Sequence, residues 1–379
     1  MINKIKTDCL HFPLDRPCVF HKQKAVKCVN CKNYKPFSAK QKTKNILIIK
    51  LDAMGDVLRT TFLLCGLKQK YGKNCCITWL VSKNSAQVLY GNPLINKIIL
   101  PELSVLGELC LERFDVVINL DLSPISLMLA SAVCAEKKVG YWLKKDRQIA
   151  FSNSYAKKWL SMSAFDDLKK ANTKTYQYWM AKITELKKTN YPIYVPIAKE
   201  SQEKATNFAK KYKLFGKKIV GINPGAGGRW ELKRWTRNGY KYLIDQLSMK
   251  GFKVILLGGP QEAQLVDELV ENSNGKAISI GTNNTIADFF AYLNLCDIVI
   301  SGDTMAMHAA LGLKKKVVAL FGPTSSAEIE LYGLGNKVVS SLNCLCCYKT
   351  NCGIKPNCME SITPEVVLSN ILELAKSIK

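Results

Sequence analysis

No stretch of this 379-residue sequence approaches 18 uninterrupted apolar residues, so no segment reads as a membrane-spanning helix. The first residues, Met1 to Lys6 followed by Asp8 and Cys9, lack the apolar core of a secretory signal, and the expectation is a cytoplasmic protein. There is no Gly-Lys-Ser/Thr phosphate loop, no Gly-x-Gly-x-x-Gly fingerprint and no Asp-x-Asp pair in a metal-binding setting. Short-period repeats and low-complexity tracts are also missing. Histidine is scarce, with 3 in the chain, and arginine supplies only 7 of the 55 basic residues. Guanine and phosphate readers favour the arginine fork, so this lysine bias argues against a nucleic-acid partner despite the charge.

What is abundant is lysine, apolar residues and cysteine. Apolar residues make up 47% of the chain, which excludes a disordered protein, and the length favours two domains. The formal net charge is +25. It is concentrated in residues 1–50 (+10) and 137–250 (+18), while the rest sums to −3. Surfaces of that kind suit nucleic acid, anionic lipid head groups or a phosphorylated substrate. The 15 cysteines cluster at both ends. In a reducing compartment such clusters point to metal rather than to disulfides.

The organisation is rhythmic. After an arm rich in Cys and Lys (1–44), the run 45–50 (NILIIK) reads as a buried strand, followed by a turn at 52–56 and a helix over 57–71. Further strands are expected at 76–81, 97–100 and 115–120. The extended Tyr191-Pro192-Ile193-Tyr194-Val195-Pro196 marks a linker, and a polar helix over about 199–212 follows. The rhythm then restarts with strands at 217–223, 252–257, 297–301 and 316–321. Uninterrupted apolar strands alternating with helices imply α/β domains with parallel sheets. The expected division is 1–44 as an arm, 45–197 and 198–342 as two Rossmann-like domains facing across a cleft, and 343–379 as a Cys-rich segment with a C-terminal helix.

Three loops at strand ends could carry chemistry. Gly55-Asp56 follows the first strand, where spacing alone favours an N-capping role for Asp56 over a catalytic one. Asn223-Pro224-Gly225-Ala226-Gly227-Gly228 follows the first strand of the second half, with Lys233-Arg234-Trp235 beyond it. Backbone N–H groups and Lys233 there suit an anion, although a plain flexible loop fits the spacing equally well. Ser301-Gly302-Asp303-Thr304-Met305-Ala306-Met307-His308 opens a helix that Asp303 or Thr304 can cap. The free N–H groups of its first turn suit a diphosphate. Phe321-Gly322-Pro323-Thr324-Ser325 offers hydroxyls nearby. Each loop is weak evidence alone, but their order is informative.

Residues 46–61 (ILIIKLDAMGDVLRTT), Pro224-Gly225-Ala226 with Lys233-x-Trp235, Asp303-Thr304-x-x-x-His308 and Phe321-Gly322-Pro323-Thr324 together resemble glycosyltransferase family 9, the heptosyltransferase family of lipopolysaccharide core assembly. The resemblance spans roughly 45–375. It implies a GT-B fold and an inverting, metal-independent transfer from a nucleotide-diphosphate sugar such as ADP-heptose to a lipid-linked or other surface-glycan acceptor. Asp56 then matches the general base, with Gly55 and Arg59 on the acceptor side. On the donor side stand Gly225, Lys233, Glu262 (matched to a ribose contact), Asp303, Thr304, Met305, His308, Gly322 and Thr324. Met305 departs from the family pattern, which has Gly there.

Two cysteine sets fall outside that pattern: Cys9, Cys18, Cys28 and Cys31, and Cys344, Cys347, Cys352 and Cys358, leaving Cys346 spare. Each offers four thiols and one C-x-x-C, enough for structural zinc or an iron–sulfur cluster, with no metal required for glycosyl transfer itself. Unliganded thiols are the competing reading. Residues 8–34 look like a Cys-rich leader found on some bacterial proteins resembling family 9. A C-terminal helix returning to the first domain, as in many GT-B chains, would make the two sets neighbours. The remaining six cysteines sit among apolar neighbours and read as buried. The basic regions suggest peripheral docking on an anionic inner-membrane face. Alternatives are a nucleotide-sugar epimerase of GT-B fold and a metal-bearing nucleic-acid-binding protein.

Overall fold

Continuous apolar runs can be buried on both faces only if helices cover both sides of a parallel sheet, and the fold follows from that constraint. The computed structural model describes residues 5–36, 43–227 and 230–378. The chain divides into two units, Met1–Lys44 and Asn45–Lys379. In the first, a short helix (Val19–Lys24) is followed by a tight turn (Cys28–Asn30), and an isolated bridge joins Cys9 to Pro36.

The second unit holds two six-stranded sheets among its described residues. The first comprises β1 (Asn45–Ile49), β2 (Cys76–Leu80), β3 (Lys97–Ile99), β4 (Arg113–Asn119), β5 (Cys134–Leu143) and β6 (Ile149–Phe151). Their spatial order is β3-β2-β1-β4-β5-β6, all parallel except the β5–β6 pair. The second comprises β7 (Ile219–Asn223), β8 (Lys253–Leu256), β9 (Ala277–Ser279), β10 (Ile298–Gly302), β11 (Lys316–Phe321) and β12 (Gly335–Val339). Its order, β12-β11-β10-β7-β8-β9, is wholly parallel. Ile46 to Ile49 of β1 and all of β7 are buried, as central strands must be. Both orders reverse direction beside the first strand, between β1 and β4 and between β7 and β10. Ligands of such sheets bind at the carboxyl ends of these strands. The Gly55, Gly225 and Asp303 loops all emerge there.

Several expectations are corrected. The helix expected over 57–71 is two helices, Met54–Thr60 and Leu63–Tyr71. The earlier start puts Gly55 and Asp56 inside the first turn. Ala53, not Asp56, occupies the N-cap position. Strands β5, β6, β9 and β12 do not stand out in sequence, because β5 and β12 carry partly exposed and charged positions and β6 and β9 are three residues long. The linker at 191–196 is extended but strapped down: the Tyr194 backbone N–H donates to Thr61 Oγ1 at 3.0 Å, and Tyr191 donates to Gln69 at 2.8 Å.

The C-terminal helix Pro364–Ala375 does not return to the first sheet. Its Val367, Leu368 and Ile371 pack into the core of the second, with Leu243, Leu247 and Val318. Trp235 Nε1 donates to the Ile362 carbonyl at 2.9 Å and fixes its approach. Of the six scattered cysteines, Cys75 and Cys296 are buried, Cys65 and Cys76 are half-buried, and Cys110 and Cys134 are exposed. Cys110 lies on the outer side of the helix Leu103–Leu111, and Cys134 opens β5 at an exposed position. No helix among the described residues is long and apolar enough to cross a membrane.

Candidate active site

The site forms where two helix N-termini meet. Gly55 stands in the first turn of Met54–Thr60, and a Cβ on it would lie 3.3 Å from the Met305 backbone nitrogen and 3.5 Å from His308 Cδ2. The helix Met305–Gly312 follows β10, so the close approach brings Asp56 from the first sheet beside Asp303 and His308 from the second. Met305 sits half-buried at the start of that helix, where its backbone N–H has no partner within the helix.

The Asp56 carboxylate receives an ion pair from Arg59 at 2.8 Å and keeps 39% of its side chain accessible. Its surroundings push the pKa up, but Arg59 first, then Lys50, His308 and Lys233, hold it at about 2. Asp56 is therefore ionised at neutral pH. Arg59 is itself buried, stacked 3.9 Å from the Tyr176 ring centroid, with an Nε that finds no partner. Tyr176 is anchored in turn: its hydroxyl meets Thr60 Oγ1 at 2.7 Å, and its backbone N–H donates to the Glu328 carbonyl at 2.8 Å. Lys50 directly follows β1, is 5% exposed, and pairs with Asp121. Burial lowers the Lys50 pKa, but Asp121 and Asp56 more than offset it.

On the opposite side, Lys233 Nζ lies 3.2 Å from the Asp303 carbonyl and 3.3 Å from its carboxylate. Burial raises the Asp303 pKa, but Lys233 and other cations bring it below the usual carboxylate value. His308 is 4% exposed, and burial followed by the charge of Arg59 lowers its pKa to about 4, leaving a neutral ring at pH 7. Thr304 takes the N-cap position without a capping bond. Its hydroxyl instead meets Ser301 at 2.9 Å and Asn223 at 3.3 Å, tying β10 to β7.

Glu262 lies against the Gly225 loop so tightly that a Cβ on Gly225 would fall 2.6 Å from its carboxyl carbon. Oε2 accepts from the Gly259 N–H at 3.1 Å, while Oε1 is buried without a partner. Gly228, the last glycine of that loop, lies outside the described residues. Thr324 is buried after β11. A Cβ on Gly322 would strike Cys358 Sγ at 2.5 Å, so this glycine is required by packing against the Cys-rich segment.

Thus Gly55, Asp56, Arg59, Lys233, Asp303, Met305 and His308 converge, while Gly225 and Glu262 form a second group at the end of β7. Lys50, Asp121, Tyr176 and Glu328 were not singled out from sequence. For Lys50 a signal existed, since a lysine ending a strand buried on both faces must find a carboxylate. Tyr176 had none, because nothing local links it to Arg59.

The cysteine sets fare differently. Cys28 and Cys31 share one tight turn, with Cys9 and Cys18 half-buried elsewhere in the first unit. Cys344, Cys347, Cys352 and Cys358 all line one cavity. Among the described residues no three metal-ligating side chains are set close enough to hold an ion as they stand.

Comparison with known proteins agrees with this architecture. Residues 103–357 match the sequence model of glycosyltransferase family 9 (heptosyltransferase). That span includes Lys233, Glu262, Asp303, His308 and Thr324, and begins after Asp56. Lipooligosaccharide heptosyltransferase 2 of Campylobacter jejuni is 30% identical over 166 residues, 42% of this chain and 52% of the relative. The match thus spans about half the length of that relative. Lipooligosaccharide heptosyltransferase 2 of Haemophilus influenzae is 25% identical over 308 residues, covering 74% of this chain and 84% of that one. Among solved structures, a family 9 glycosyl transferase from Veillonella parvula superposes with a TM-score of 0.71 at 20% identity, covering 88% of this chain and 97% of its own. The ADP-heptose LPS heptosyltransferase II of E. coli gives 0.64 at 18% identity, covering 88% and 99%. The two facing sheets are the GT-B fold, and the chain belongs to glycosyltransferase family 9.

Proposed function

We propose that this chain transfers a heptose-like sugar from a nucleotide-diphosphate donor, ADP-heptose being the first to try, onto a lipopolysaccharide or related surface-glycan acceptor, with inversion and without a metal ion. The observation that carries the reading is the meeting of Asp56 with Lys233, Asp303 and His308 across the Gly55–Met305 contact. An acceptor hydroxyl is a weak nucleophile at neutral pH. Asp56, already ionised, takes its proton as the oxygen attacks the anomeric carbon. The bond from that carbon to the diphosphate breaks, and the diphosphate leaves with the electron pair. Attack from the face opposite the leaving group inverts the centre.

Lys233 and the N-terminus of the helix Met305–Gly312 stabilise the charge that grows on the diphosphate, the part a divalent ion would otherwise play. The same charge, arriving beside Lys233, weakens the cationic field that depresses Asp56 and makes it a stronger base when the donor is bound. Glu262, with one buried oxygen unpaired, suits a hydroxyl of the nucleotide ribose.

The test is transfer from ADP-heptose to a truncated lipopolysaccharide acceptor. Asp56→Asn should lower kcat by ~10²–10⁴-fold while leaving nucleotide affinity within about twofold. Donor turnover that needs no acceptor, or an undiminished kcat in the variant, refutes the assignment. A peripheral contact with an anionic cytoplasmic membrane face belongs to the same proposal. Phe165 and Leu168 are exposed on a segment that carries the exposed Lys157, Lys158 and Lys170 as well as Asp166 and Asp167. Sedimentation with vesicles should require anionic lipid and weaken with salt.

A further inference from the structure

We propose that Cys344, Cys347, Cys352 and Cys358 bind one thiolate-preferring metal ion, zinc or iron, which fastens the Cys-rich segment behind the 322–325 loop. Four observations meet here. The four thiols line a single cavity of about 100 Å³ together with Leu232 and Pro323. Cys358 is within electrostatic reach of the other three. The fifth thiol of the segment, Cys346, is turned toward Ser325 instead, so the spacing C-x2-C-x4-C-x5-C is the set the fold selects. And between Val339 and Pro364 the chain forms no helix or strand, an irregular connection long enough to need a fastening that backbone ladders do not supply.

As placed, the sulfurs are not yet at ligating distance. A tetrahedral thiolate site has metal–sulfur bonds of about 2.3 Å and hence sulfurs about 3.8 Å apart, so binding requires the segment to contract around the cavity. All four thiols sit on irregular backbone, and Cys344, Cys347 and Cys352 are only half-buried, so they are the ones with room to move. Cys358, at 8% exposure and packed on Gly322, is the fixed corner. Each thiol gives up its proton as it ligates.

The consequence reaches the donor side without touching the chemistry. The Cys346 backbone N–H donates to the Gly322 carbonyl at 3.3 Å, that of Tyr348 to the Pro323 carbonyl at 2.9 Å, and that of Ser325 to the Tyr348 hydroxyl at 3.2 Å. A metal that orders residues 344–358 therefore orders the loop holding Thr324. Metal binding at this cavity is independent of the sugar and of the transfer reaction.

The full chain, produced untagged in medium supplemented with zinc and iron, should carry about one metal ion per chain by elemental analysis. The Cys347→Ser/Cys352→Ser double variant should lose it, whereas Cys346→Ser and the quadruple variant Cys9→Ser/Cys18→Ser/Cys28→Ser/Cys31→Ser should keep it. Cobalt(II) added to metal-stripped wild-type chain should produce the intense visible bands and sulfur-to-metal charge transfer of a tetrahedral thiolate site, a readout that needs no variant to fold. Substoichiometric metal after supplementation, metal retained by the double variant, or its loss on changing the N-terminal set overturns the proposal. So does an octahedral cobalt spectrum or a disulfide within the set in freshly purified protein.

Discussion

His308 offers a quantitative test of how closed this site is. The ring is 4% exposed and its pKa is lowered from about 6.5 to about 4 by burial and by Arg59. The unfolded chain takes up a proton near pH 6.5 and the folded chain does not, so this group's contribution falls as pH drops from 7 toward 4. With those two values the loss from His308 alone is about 2 kcal/mol between pH 7 and pH 5. His308→Gln removes the titrating group while keeping a polar side chain of similar reach. Urea unfolding of both proteins at pH 7 and pH 5 isolates the effect, since other groups titrate in each. The wild type should lose about 2 kcal/mol more than the variant over that interval. Equal losses would mean that His308 is charged in the fold and paired with Asp303, 4.0 Å away, and the neutral-ring reading would fall. The same logic predicts proton uptake when a nucleoside diphosphate binds, detectable calorimetrically in buffers of different ionisation enthalpy.

Lys233→Ala should abolish selective thermal stabilisation across a panel of ADP, UDP, GDP and CMP; a nucleotide at ~100 times its dissociation constant adds about 2.7 kcal/mol to the intact protein, and an unchanged response in the variant would remove Lys233 from the donor site. Gly225→Ala forces Glu262 aside and should weaken nucleotide binding at least tenfold, whereas Gly107→Ala, which meets nothing within 4 Å, should not. Tyr176→Leu takes away the face on which Arg59 rests and should lower kcat more than donor affinity. Tyr176→Phe keeps the ring and should restore most of the rate, and equal damage from both would assign the effect to the Thr60 hydrogen bond instead.

Much of this protein can be read along the chain. The buried parallel strands betray themselves as apolar runs, because a strand covered on both faces has no polar side to show. The loops after β1, β7 and β10 stand out because glycine and an acid or base at a strand end is a local pattern. The four C-terminal cysteines announce themselves by spacing. What lies across the chain does not. Gly55 and Met305 are 250 positions apart, and only their packing makes Asp56 share a field with Lys233, Asp303 and His308. The Arg59–Tyr176–Glu328 relay joins three segments whose sequences carry no common mark. Likewise, the C-terminal helix has an apolar face that would suit either sheet, and Trp235 reaching the Ile362 carbonyl settles which one it covers. Strand identity follows from short-range patterning; the depressed pKa of Asp56 and the neutrality of His308 follow from distances that only the folded chain sets.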